Sequence, residues 1–117
     1  MSHNTLGNGE WLKVGQSLFS ADGSVEFKMQ EDGKIAVYWG GECRFQNTRE
    51  QSWGNIKGVK MQEDGNLVMY DNAGKAVWHT DTAGSKGDST VICAVQNDGN
   101  VVLYKGTPIW SSDTHKN

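Results

Sequence analysis

Three stretches of the chain alternate apolar and polar positions in the same order. Ile35-Ala36-Val37-Tyr38, Leu67-Val68-Met69-Tyr70 and Val101-Val102-Leu103-Tyr104 follow the pairs Asp32-Gly33, Asp64-Gly65 and Asp98-Gly99. Residues two apart on a strand share a face. Leu67 with Met69, Val101 with Leu103, and Ile35 with Val37 are therefore assigned to a core, and Val68 with Tyr70 to the other face. Shorter apolar runs precede each Asp-Gly pair, at Val25–Met29, Gly58–Met61 and Val91–Val95. Asp-Gly between two apolar runs predicts a hairpin, because glycine adopts the positive φ of the turn without strain. A third strand is expected after each second one, at 42–48, 76–82 and 108–114. No helical periodicity of useful length occurs.

The units are repeats. Gln30, Gln62 and Gln96 open them at spacings of 32 and 34 residues, and their limits fall at about 15–48, 49–82 and 83–114 of a single domain, 1–117. One such unit cannot bury its apolar face, whereas three arranged about an axis can. The pattern predicts an all-β fold with pseudo-threefold symmetry and leaves a prism, a trefoil and a small propeller open. Repeats two and three carry Trp78 and Trp110 in the third strand; repeat one aligns with Arg44 there, which leaves Trp39, Phe45 or Trp53 to fill the space.

Composition narrows the function. Fifteen glycines, one proline and five tryptophans in 117 residues suit short strands joined by tight turns. Eleven basic residues against fourteen acidic ones give a net charge of −3 with no basic stripe, so nucleic acid is not expected as a partner. No apolar run approaches the roughly 20 residues of a membrane helix, and no membrane insertion is expected. The opening residues lack a charged segment followed by an apolar one, so no signal peptide is read and a cytoplasmic location is expected, with unconventional release left open. Cys43 aligns with Val77 and Ile109, and Cys93 with Phe27 and Val59, so both are read as buried free thiols, a Cys43–Cys93 bridge being the alternative. His3, His79 and His115 are scattered, and Glu63, Asp64 and Asp71 lack the alternation of a calcium loop. Neither a metal nor a cofactor is expected. Residues 84–90 read as a linker between repeats.

The polar positions recur as a set: Gln62, Asp64, Asn66, Val68 and Tyr70, then Gln96, Asp98, Asn100, Val102 and Tyr104. Folding at the Asp-Gly turn brings Gln near Asn and Tyr across the hairpin. Amides, a carboxylate and a phenol together supply donors and acceptors suited to a neutral polyol, and the valine offers an apolar patch to the C–H face of a ring. Each set has one carboxylate and no histidine or second carboxylate at fixed spacing, so general acid–base catalysis is not expected. Turn chemistry explains Asp and Gly by itself, but not Gln and Tyr at fixed offsets.

The pattern Gln-x-Asp-x-Asn-x-Val-x-Tyr resembles the mannose-binding motif of the bulb-type, snowdrop-agglutinin-like lectins. Repeats two and three match it at all five positions, and the likeness extends from the Leu6–Phe19 region to the Trp-x-Ser/Thr ends. The resemblance implies a β-prism II of three antiparallel four-stranded sheets and metal-independent binding of mannose or mannosylated glycans and glycoproteins. It implies that Gln62 and Gln96 bond the sugar 3-hydroxyl. Asp64 with Asn66, and Asp98 with Asn100, would hold the axial 2-hydroxyl. Tyr70 and Tyr104 would bond the 4-hydroxyl, with Val68 and Val102 against ring carbons. Glucose, with an equatorial 2-hydroxyl, would leave polar groups unpaired. The resemblance further implies a homodimer formed by exchange of the C-terminal strand, here 108–114. Plant members have a disulfide from an Asp-Cys turn; Gly33 occupies that turn here, which with the absence of a recognised signal peptide favours a reducing compartment.

Repeat one departs from the motif. Gln30, Asp32 and Tyr38 are present, but Lys34 replaces Asn and Ala36 replaces Val. This site is expected to be degenerate. Two other readings stand beside a mannose lectin: a protein-interaction or structural prism with vestigial sugar sites, and a carbohydrate-active enzyme, which the missing carboxylate pair disfavours.

Overall fold

The hairpins form where the Asp-Gly pairs lie. Gly33, Gly65 and Gly99 have φ of +85°, +87° and +93°. Each glycine N–H donates to the carbonyl of the repeat's Gln, at 3.1, 3.1 and 3.0 Å, and the Gln N–H donates to the carbonyl of residue 34, 66 or 100. That is a type I turn closed by a left-handed residue, the usual three-residue hairpin loop.

The computed structural model describes residues 4–47, 55–62, 64–80, 91–105, 107–112, 114 and 116, with backbone only for 105 and 107–109. Its strands are β1 (Thr5–Leu6), β2 (Trp11–Lys13), β3 (Ser17–Phe19), β4 (Glu26–Met29), β5 (Ile35–Trp39), β6 (Glu42–Gln46), β7 (Ile56–Met61), β8 (Leu67–Asp71), β9 (Ala76–His79), β10 (Ile92–Val95), β11 (Val101–Lys105) and β12 (Thr107–Ser111). They make three four-stranded sheets, ordered β3-β4-β5-β6, β2-β7-β8-β9 and β1-β10-β11-β12. The neighbours pair antiparallel throughout.

The fourth strand of each sheet comes from the N-terminal segment. Leu6, Leu12 and Leu18, six residues apart, face Cys93, Val59 and Phe27 across the ladders of three different sheets, and all three leucines are buried. They join one core with Ile35, Val37, Leu67, Met69, Val101 and Leu103, which alternation assigns to it.

The axis is aromatic. Phe45 faces Val37, Trp78 faces Met69 and Trp110 faces Leu103 in equivalent registers. The Trp110 ring meets Phe45 at 5.9 Å and Trp78 at 6.4 Å, edge-to-face in both cases. Phe45, not Arg44, therefore stands where the other sheets have tryptophan. The misalignment arises because the second turns differ in length: Tyr38 pairs with Cys43, Tyr70 with Ala76 and Tyr104 with Pro108. The same shift corrects the expectation for Cys43, which is exposed while Cys93 is buried; both are free thiols. Trp39 lies away from the axis, donating from Nε1 to the Thr114 carbonyl at 2.7 Å, and Trp53 falls outside the described residues.

Candidate functional site

Each hairpin places its polar set at one end. In the second, Gln62 follows β7, Asp64 sits in the turn, Asn66 precedes β8, and Val68 and Tyr70 lie along β8. The turn folds Gln62 onto Tyr70, and Gln62 Nε2 donates to the Tyr70 hydroxyl. Gln96 Nε2 donates likewise to Tyr104. Asp64 Oδ1 accepts the Asn66 N–H at 3.0 Å, and Asp98 Oδ1 that of Asn100 at 3.0 Å. One carboxylate oxygen thus fastens each turn. The meeting of Gln and Tyr across the turn, expected from the sequence, is present in both hairpins.

Two expectations change. Val68 and Val102 are only 4 % and 3 % exposed, so neither presents the apolar patch read from the alternation. Val68 lies on an inner strand between Lys60 and His79, and cross-strand partners share a face and cover it. Asn66 and Asn100, next, do more than line the site. The Asn100 Oδ1 accepts from Ser111 Oγ and Ser112 Oγ, both at 3.1 Å, and from the Thr114 N–H at 3.2 Å. Asn66 Oδ1 accepts from Thr80 Oγ1 at 3.1 Å, and its Nδ2 lies 3.3 Å from His79 Nδ1. Thr80 and Ser112 in turn accept the N–H groups of Leu67 and Val101, at 3.2 and 3.0 Å. Each asparagine therefore clamps the turn to the third strand of its repeat. Thr80 and Ser112 are the last residues of the Trp-x-Ser/Thr ends, to which the sequence reading assigned no role in the site.

The first hairpin keeps the outline. The Tyr38 hydroxyl donates to Gln30 Oε1, and Asp32 Oδ1 accepts the Lys34 N–H at 3.0 Å. Burial, and then the neighbouring Cys43, Asp32 and Glu26, push the Tyr38 phenol above its ordinary pKa. Asn47 takes the position of Thr80 and Ser112 and accepts the Ile35 N–H at 3.0 Å. Its Nδ2 is buried without a partner among the described residues. An asparagine at position 34 would offer an acceptor there; lysine offers none. The side-chain contact from Asn to Thr or Ser seen in the other two hairpins is therefore not repeated here.

Among the described residues, no three of His, Cys, Asp and Glu converge on a possible metal site. His79 is exposed, and the linker 84–90, His3, Glu63 and His115 lie outside the described residues.

The chain matches no protein-family model. It is 34% identical to the B-type lectin plumieribetin of Scorpaena plumieri, over 97% of each chain. It is 31% identical to a mannose-specific lectin of Aloe arborescens, over 95% of this chain and 97% of that one. Among solved structures, it resembles the mannose-specific agglutinin from snowdrop (Galanthus nivalis) bulbs in complex with methyl-α-D-mannoside. The TM-score is 0.73 at 34% identity, covering 97% of this chain and 99% of that one. Likeness of this extent, with three antiparallel four-stranded sheets arranged as a β-prism II, establishes that the chain belongs to the bulb-type, snowdrop-agglutinin-like mannose-binding lectins.

Proposed function

We propose that the chain is a non-enzymatic, metal-independent lectin that binds terminal mannose at two sites. The observation that carries this reading is the recurrence of one polar network in hairpins two and three. Gln62–Tyr70 and Gln96–Tyr104 are joined side chain to side chain, beside Asp64–Asn66 and Asp98–Asn100 turns. In this reading Gln bonds the sugar 3-hydroxyl, Asp and Asn the axial 2-hydroxyl, and Tyr the 4-hydroxyl. Because Val68 and Val102 are nearly covered, apolar contact is a smaller part of binding than the motif alone suggests. The first site, Gln30, Asp32, Lys34 and Tyr38, is degenerate.

Four or five hydrogen bonds, each worth net roughly 0.5–1.5 kcal/mol, are offset by the entropy of immobilising the sugar. Binding per site is then on the order of millimolar, and useful recognition comes from several sites engaging one glycan or a coated surface. A homodimer exchanging β12 would supply four sites. β12 pairs with β11 of its own chain here, and as a sheet edge it is a strand a second copy could replace.

A glycan array followed by calorimetry with methyl α-mannoside tests the reading. The chain should bind mannose-terminated glycans with and without a chelator, and should bind glucose-terminated ones far more weakly. Tyr70→Phe with Tyr104→Phe removes two hydroxyls and no core packing, and should reduce mannoside binding at least tenfold. Undiminished binding in that folded variant would refute the assignment of the sites. An array without mannose-terminated hits would favour a prism acting through protein contacts.

A further inference from the structure

The second hairpin carries an aromatic, cationic shelf built on Trp11, whose place is held by Ser17 and Thr5 in the other two sheets. Trp11 on β2 pairs with Lys60 on β7, and its ring lies 5.7 Å from that of Tyr70. The ammonium of Lys57 stands 4.8 Å from the indole centroid and that of Lys60 5.7 Å. Trp11, Lys57, Lys60, Tyr70 and Gly74 line an open pocket of about 200 Å³. Tyr70 thus belongs to two places at once: its hydroxyl is bonded to Gln62 in the polar set, and its ring borders the shelf.

Two backbone features build this arrangement. On a regular strand residues 57 and 60 would point to opposite faces. The ladder steps from Ile56 opposite Asp71 to Gly58 opposite Tyr70, so Lys57 is the extra residue of a β-bulge. A bulge re-aims a side chain, and this one brings Lys57 to the ring that Lys60 faces. Gly58 also lets β2 come close, because a Cβ at that residue would sit 2.6 Å from the Leu12 carbonyl oxygen.

The fold itself does not require the shelf. In the first sheet the places of Trp11 and Lys60 are held by Ser17 and Lys28, and in the third by Thr5 and Ala94. Ser17 there donates to the Glu26 carboxylate at 2.6 Å. Among the described residues the ion pair present is Arg44–Glu42, and neither Lys57 nor Lys60 forms one. Two ammonium groups held at one ring, with no ion-pair partner among the described residues, attract an anion, and a partly exposed indole is a surface for the C–H face of a sugar.

We propose that the shelf is a subsite for the phosphate of a phosphorylated mannoside whose sugar ring occupies the second site. This rests on the mannose reading of that site. It makes the two intact sites unequal: site two prefers an anionic mannoside, and site three, with Thr5 and Ala94, does not.

The test is a titration of the ¹⁵N-labelled chain with methyl α-mannoside, mannose 1-phosphate, mannose 6-phosphate and inorganic phosphate. It is run on the unaltered protein and on Lys57→Gln/Lys60→Gln, which leaves Gln62, Asp64, Asn66 and Tyr70 in place. At least one phosphorylated sugar should bind about five- to tenfold more tightly than methyl α-mannoside at low salt, with the Trp11 indole N–H resonance moving and the advantage shrinking as salt rises. The double variant should bring that advantage to within twofold while keeping its affinity for methyl α-mannoside. Equal affinity for neutral and phosphorylated sugars, an advantage that survives the double variant, or inorganic phosphate binding as tightly as the sugar phosphate would each overturn the subsite and leave the mannose reading standing. Failure of all three sugars to bind would overturn both.

Discussion

Replacing Asn100 separates the two jobs assigned to that residue. In Asn100→Ala, three donors lose one acceptor: Ser111 Oγ, Ser112 Oγ and the Thr114 N–H. Ser111 is exposed and turns to water. Ser112 Oγ lies 2.7 Å from Thr114 Oγ1 and retains that partner. The Thr114 N–H, in a residue only 7 % exposed, has no such replacement. A stranded buried donor costs about 1–3 kcal/mol, and the weakened Ser112 bond adds about 0.5–1.5 kcal/mol. The expected loss is about 1.5–4.5 kcal/mol, or about 6–18 °C in Tm for a domain of this size. Asn100→Asp keeps an oxygen at the accepting position and removes only the amide donors. At high ionic strength, where the new charge beside Asp98 is screened, it should stay within about 1 kcal/mol of the unaltered chain. Its mannoside affinity at site three should nevertheless fall, because the donor proposed for the 2-hydroxyl is gone. Urea unfolding with matched m-values gives the stabilities, and calorimetry gives the affinities. If Asn100→Asp is as unstable as Asn100→Ala, or Asn100→Ala is as stable as the unaltered chain, the clamp has been misread.

Three further outcomes are expected. Trp110→Leu removes both edge-to-face contacts of the axis, each worth about 0.5–1.5 kcal/mol beyond burial, whereas Phe45→Leu removes one; urea midpoints should therefore fall further for Trp110→Leu, and equal midpoints would contradict the axis. Asp22 is held down at about 2 by the hydroxyl and N–H of Ser24, then by the Ser20 hydroxyl. A depressed carboxylate stabilises the fold above its ordinary 3.8 and loses that contribution as pH falls through about 2; a melting series from pH 5 to pH 2 should decline less steeply in Asp22→Asn, and parallel declines would refute the role. Burial pushes the Cys93 thiol up to about 12 while Cys43 is exposed, so a chromogenic disulfide should count one thiol in the native chain and two in denaturant; two reactive native thiols would show that Cys93 is open to solvent.

The features legible in the chain are those written at fixed offsets from Asp-Gly. The turn glycines, the strand alternation and the Gln–Tyr meeting all follow from local geometry, and local geometry repeats. What escaped depends on residues far apart or on turns of unequal length. Phe45 could not be matched to Trp78 and Trp110 by counting from Tyr38, because the second turns differ between the repeats. The burial of Val68 depends on Lys60 and His79 of the neighbouring strands, and a single-strand pattern carries no information about them. The shelf at Trp11 needs a bulge at Lys57 and a sheet partner, Lys60, 49 residues away. Leu6, Leu12 and Leu18 were legible in principle: a six-residue leucine period does not fit a helix, and Gly7, Gly9 and Gly15 between the leucines break a continuous strand into three short ones, which go to separate sheets.

That delivery of three successive N-terminal strands to three sheets imposes an order of assembly. Leu18 meets Phe27 nine residues later, whereas Leu6 waits for Cys93, 87 residues on. Closing the longer loop costs about 2 kcal/mol more in chain entropy, and such distant pairings slow folding. During synthesis the first sheet can close once β6 has emerged, the second must await β7 to β9, and the third stays open until β10 to β12 are made. The beginning of the chain is therefore the last part to find its place. Until then β10 keeps an unpaired edge, the state in which a nascent chain is most open to pairing with a neighbouring copy.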